Sequence, residues 1–142
     1  MKTLDTLIRL HKRTLDGLRR EMVELETQKS QLQQAIINLQ KELDTEVALA
    51  GKQPEMANFF GEFAKRIKAR QESLLQEIRN LDVKIAKLNN EIFEAFAELK
   101  KYEIARANAK LRAQEKEKHK ETLMLDEIAA QQYQRKNREE ID

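Results

Sequence analysis

Cysteine and tryptophan are absent from this 142-residue chain, proline occurs once, glycine three times, and aromatic residues make up only 5% of it. Each scarcity removes a class of architecture. Without cysteine there is no disulfide framework, no thiolate nucleophile and no cysteine-ligated zinc; the absence agrees with a reducing compartment but does not demonstrate one. With few aromatics and 37% charged residues, the composition is that of long solvated helices and not of a globular core. No run of eighteen apolar residues exists, and Met1-Lys2-Thr3-Leu4-Asp5 lacks the unbroken apolar stretch of a secretory signal, so a soluble, cytoplasmic chain is expected. There is no glycine-rich phosphate loop. His11 and His119 are far apart, so neither a catalytic residue nor a metal or cofactor site is expected, and an enzyme is not.

What the chain does contain is a seven-residue apolar repeat. Counting Met1 as an a position gives Ile8, Leu15, Met22, Lys29, Ile36, Leu43 and Ala50, with d positions Leu4, His11, Leu18, Leu25, Leu32, Leu39 and Glu46. A 3.5-residue period draws one narrow seam along a helix, which stays wet unless another helix covers it. The pattern breaks at Ala50-Gly51-Lys52-Gln53-Pro54-Glu55, where glycine permits a left-handed helix end and proline suits the first turn of the next helix. A second seam follows through Ala57, Ala64, Gln71, Ile78, Ile85, Ile92 and Leu99, with Phe60, Ile67, Leu74, Leu81, Leu88, Ala95, Tyr102 and Ala109 between them. The expectation is an all-α, two-helix antiparallel coiled-coil hairpin with a longer, overhanging C-terminal helix. It forms a single domain, monomeric in isolation, with helices over about 2–50 and 56–138 and a turn near 51–55.

In an antiparallel pair an a residue faces a d residue and their numbers sum to a constant. A sum near 103 sets Leu43 against Phe60, Leu18 against Ile85 and Leu4 against Leu99; a slip of one heptad, to about 110, keeps the chemistry and is expected to need a tighter turn. Either way Lys29 faces a leucine and reads as a snorkelling, register-setting side chain. The arms are unequal, and from Arg106 to Lys120 the stripe fades before Leu123, Met124, Leu125, Ile128 and Tyr133 bring apolar character back. Such a group on an unpaired helix is either frayed or docked. Residues 2–20 and 106–120 each carry a net charge of +4 while the rest of the chain sums to −6, so the extremity bearing both termini is basic, although a charge run is ordinarily a solvated face. Near the turn, Phe59, Phe60 and Phe63 follow Met56 and are flanked by Lys65, Arg66, Lys68 and Arg70. They cannot all face the first helix, so they either plug the hairpin's end or form a small docking patch. The carboxylates recur beside Lys and Arg at heptad flanks, where helix-surface pairing explains them.

Three stretches carry a resemblance: the opening Leu4-Asp5-Thr6-Leu7-Ile8-Arg9-Leu10-His11-Lys12-Arg13, the mid-chain Phe93-Glu94-Ala95-Phe96-Ala97-Glu98-Leu99-Lys100-Lys101-Tyr102-Glu103, and the closing Leu125-Asp126-Glu127-Ile128-Ala129-Ala130-Gln131-Gln132-Tyr133. Over nearly its whole length the chain resembles the FliJ family of the flagellar type III export apparatus. That resemblance implies a non-enzymatic stalk, similar to the central coiled coil of the rotary ATPase gamma subunit, whose terminal end enters the hexameric ring of the export ATPase. It also implies contact with the cytoplasmic domain of the export gate and with empty export chaperones, linking ATP hydrolysis and the proton gradient to the passage of flagellar subunits. The expected position is cytoplasmic, peripheral to the inner membrane at the flagellar base through partners, in the service of motility and chemotaxis. On the physical reading of the residues, Leu123, Leu125, Ile128, Tyr133, Arg9, Lys12 and Arg13 are the candidates for the ATPase ring, and Phe59, Phe60 and Phe63 for the gate or chaperones. A generic coiled-coil scaffold or a virulence-type secretion stalk would share the architecture. A basic nucleic-acid-binding coil fits less well, because apolar seam residues interrupt the basic stretches and Gly51 with Pro54 breaks the coil, so no specific nucleic acid is expected.

Overall fold

The computed structural model describes residues 2–141, and Met1, the first a position of the repeat, lies outside them. The described chain is all-α: helix α1 spans Lys2–Ala50, a single 3-10 turn spans Pro54–Met56, and helix α2 spans Ala57–Ile141. The helices run 49 and 85 residues. The end of α1 departs from expectation, because no described glycine takes a positive φ. Instead of a left-handed cap, the helix tightens as it ends: Gly51 N donates to Val47 O at 3.1 Å, Lys52 N to Leu49 O at 3.1 Å and Gln53 N to Ala50 O at 3.3 Å. The first of these is still an α-helical bond, and the carbonyls of Leu49 and Ala50 are satisfied by three-residue turns. Gln53 then takes an extended backbone (φ −136°, ψ 88°), as the ring of the following proline demands, and Pro54 opens the 3-10 turn.

The chain divides into two units, one built from Met1–His11 and Ala97–Asp142, the other from Lys12–Phe96. The second is a helical hairpin whose core is a single file of seam residues, with Leu15, Leu43, Ile67, Leu74, Ile78, Leu81 and Leu88 buried. Its register follows from contacts between the helices. Lys29 Nζ lies 2.6 Å from Asp82 Oδ1, and the Gln71 side-chain amide donates to Gln40 Oε1 at 3.2 Å and to Ile36 O at 3.3 Å. The pairs 29 with 82 and 40 with 71 each sum to 111, so the register is the one near 110, and the pairing near 103 is overturned. Leu43 faces Ile67, Ile36 faces Leu74 and Leu25 faces Ile85; Ile85 is not the partner of Leu18.

The turn expectation was reversed as well. A sum of 103 would set Ala50 directly against Gln53 and leave only Gly51 and Lys52 to reverse the chain, whereas 110 sets Ala50 against Phe60 and gives room for Gly51–Gln53 and the 3-10 turn. Gln71 selects between the two, since the register near 103 would place its amide against Leu32, where it would lose its hydrogen-bond partners. Lys29 falls across from Leu81 and extends its stem over the seam to reach the neighbouring carboxylate.

In the unit containing the termini, α1 residues 2–11 lie against the α2 stretch from 97 to 109. Ile8 and Leu99 are buried, and the His11 ring stacks on Tyr102 with centroids 4.9 Å apart and planes 21° from parallel. Histidine therefore holds a seam position by offering a flat face to an aromatic partner. Asp5 Oδ1 is shut off from solvent and lies 2.9 Å from Arg106 Nε; it makes an ion pair there without hydrogen-bond geometry. Both side chains are substantially exposed, so this pair contributes well under about 1 kcal/mol. Beyond Ala109, every described side chain up to Glu140 is exposed.

Gly17 lies within α1, and a methyl group added there meets nothing within 4 Å. Gly17→Ala is expected to raise stability by about 0.5–1 kcal/mol through helix propensity alone, read as a higher urea midpoint at unchanged m-value. A lower midpoint would mean that α1 needs freedom at residue 17.

Candidate interaction surfaces

At the turn of the hairpin unit, helix periodicity cannot turn Phe59, Phe60 and Phe63 to one side, because Phe59 and Phe60 are about 100° apart. Phe60 takes the seam and is half-buried with Phe63, while Phe59 is 72% exposed. Together with Met56 and Leu49 they line an open cleft of about 310 Å³, with Glu46 and Arg66 at its edge. The three phenylalanines are thus brought to one place, two as its wall and one as a projecting ring. The cleft is apolar with a mixed-charge margin, a form that takes an apolar side chain from a partner and holds polar groups at the rim.

In the unit containing the termini, Leu123, Leu125, Ile128 and Tyr133 all lie on α2 beyond Ala109, and all are exposed. Helix geometry divides them. Leu125 and Ile128, three residues apart, share a face, whereas Leu123 points about 160° away from Leu125. The sequence cluster is therefore one narrow apolar face, carried by Leu125 and Ile128, with Leu123 and Tyr133 off it. Arg9 is exposed in this unit, and Lys12 and Arg13 are exposed in the other.

Sequence reasoning centred on the main seam missed three large apolar side chains. Phe93 is exposed in the hairpin unit, and Ile104 and Leu111 are exposed on the stretch of α2 near and beyond the paired segment. The signal was present as spacing, since Ile104 and Leu111 lie seven residues apart on a helix face away from the seam; it was hidden by treating α2 as having one stripe. Among the described residues no group of three or more His, Asp or Glu is placed to hold a metal ion, and no helix is long and apolar enough to cross a membrane.

The described residues thus present two exposed apolar features, the cleft near the turn and the face of Leu125 and Ile128. A family model described as "Flagellar FliJ protein" matches residues 1–138 of the chain. No individual curated protein and no solved structure matches it.

Proposed function

Because the chain belongs to the family of flagellar FliJ proteins and is thereby a component of the flagellar export apparatus, we propose that it acts there as a non-enzymatic stalk, entering the export ATPase ring with the exposed part of α2. The observation that carries this reading is the length of α2 beyond Ala109, helical through Ile141, with Leu125 and Ile128 uncovered by anything in their own unit. A helix with such a face gains apolar burial only from a partner, and the five basic side chains between residues 110 and 120 favour an acidic lining. Arg9, in the same unit, would add to the attraction. The cleft at Phe59, Phe60 and Phe63 is assigned to the second class of partner, the cytoplasmic domain of the export gate or an export chaperone. On this reading the protein would sit at the cytoplasmic face of the inner membrane by way of its partners.

The test is hydrolysis by the purified export ATPase with and without this chain. Wild type is expected to stimulate turnover, and L125S/I128S to lose most of that stimulation while keeping its unfolding midpoint, since both side chains are exposed. Full stimulation by the double variant would remove the ring assignment. For the other end, Phe59→Ser is expected to weaken binding of the isolated gate domain or a chaperone by about tenfold, as for an anchor in a docking patch, at unchanged stability. Unchanged affinity for both would leave the phenylalanines as a plug for the end of the hairpin.

A further inference from the structure

A second exposed stripe runs along α2 in the unit containing the termini. Residues 104, 107, 111, 114, 118, 121, 125 and 128 alternate at steps of three and four, and are Ile, Ala, Leu, Gln, Lys, Glu, Leu and Ile. That is the spacing of a coiled-coil seam, apolar at both ends and polar in the middle. It is uncovered: Ile104 is 58% exposed, Leu111 57% and Leu125 66%. The charges beside it are divided into two blocks. Residues 110–120 carry five basic and two acidic side chains, net +3, and residues 121–134 carry three acidic and no basic ones, net −3. Among the described residues, none of the charged side chains from 110 to 140 takes part in an ion pair. Two adjacent blocks of equal and opposite net charge on one helix are complementary to themselves when a second helix runs the other way.

We propose that this segment of α2 pairs antiparallel with the same segment of a second copy of the chain, about a two-fold axis between residues 119 and 120. In that register Leu111 faces Ile128, Gln114 faces Leu125 and Lys118 faces Glu121, and symmetry makes each contact twice. The polar middle thus becomes two opposite-charge pairs, and the positive block of each copy lies along the negative block of the other. Parallel pairing would set Lys118 against Lys118 and Glu121 against Glu121, which the central charges forbid. The contact is small beside a standard protein interface, so the dimer is weak, with Kd between about 10 μM and 1 mM. Pairing covers Leu125 and Ile128, so a paired chain cannot also use that face for another partner. Self-association thereby holds the face until something binds it more tightly.

Sedimentation equilibrium of the full-length chain in low salt tests this without any other protein. Wild type is expected to dimerise with rising concentration, and added salt to weaken it. K118E and E121K each place like charges across the axis, and each is expected to lower the association constant by about tenfold or more. An equimolar mixture of the two variants, and separately the double variant K118E/E121K, are expected to restore wild-type association, because each re-creates both opposite-charge pairs. Both residues are exposed, and circular dichroism confirms that every variant keeps its helix content. A wild-type chain that stays monomeric up to about 1 mM overturns the proposal. So do single variants that dimerise as well as wild type, which would place the contact elsewhere, and a mixture that fails to recover.

Discussion

Leu74→Ala is expected to lower the stability of the folded chain by about 2–4 kcal/mol, seen in urea as a large fall in midpoint, whereas Leu75→Ala next to it is expected to change stability by less than about 0.5 kcal/mol. Leu74 is only 2% exposed, the most deeply buried apolar side chain among the described residues, while Leu75 faces water. The contrast is sharp because the hairpin unit is one seam thick: no second layer of side chains lies behind Leu74 to move into the space a truncation leaves. The prediction also tests the register. With paired numbers near 110, Leu74 faces Ile36 and loses an apolar partner on truncation; with numbers near 103 it would face Lys29, and alanine there would cost far less. A small effect at residue 74 would therefore count against the hairpin pairing itself.

How much of this could be seen in the residues follows from what each signal measures. The seven-residue period reports which side of a helix is dry, and it located both seams, the break at Gly51–Pro54 and the length of α2 left without a partner. It is blind to a shift of one whole heptad, because every a position still meets a d position. The side chains that resolve the shift are the exceptions to the pattern: Gln71 finds Gln40 and the Ile36 carbonyl in one register only, and Lys29 finds Asp82. His11 likewise looked like a defect in the stripe and is a ring stacked on Tyr102. Polar intrusions in a seam carry pairing information that the apolar majority lacks. The candidate surfaces were clusters in the linear sequence, where the spacing of the phenylalanines already kept them from sharing one face; the division of the C-terminal cluster was not read. Phe59 projects while Phe60 turns inward, and Leu123 points away from Leu125, because adjacent positions on a helix diverge by about 100°.

Ala113→Pro is expected to strip amide-exchange protection from residues 114–140 while leaving residues 12–96 protected as in wild type. Proline at 113 removes the N–H that donates to the residue 109 carbonyl and crowds that carbonyl, at a cost of about 3 kcal/mol in a helix interior. In a packed helix tertiary contacts could offset part of this. Here none are available, because side chains beyond Ala109 are exposed through Glu140. The overhang's helix is therefore sustained by propagation from the paired turns before it, where Leu99 is buried and Tyr102 is stacked on His11. Once disconnected, the segment must nucleate alone, against an initiation constant of about 10⁻³, with no tertiary packing to offset that cost. Ala113→Gly, which costs only about 1 kcal/mol and leaves the hydrogen bond in place, is expected to lower protection near the substitution without erasing it further on. If the chain acts as the proposed stalk, the same two variants order the functional consequences, since a face made by Leu125 and Ile128 exists only while the backbone between them is helical: proline is then expected to abolish stimulation of the ATPase, and glycine to reduce it. Protection of residues 114–140 that survives the proline would show that the overhang supports its own helix, and the reach of α2 beyond Ala109 would then owe nothing to the paired segment.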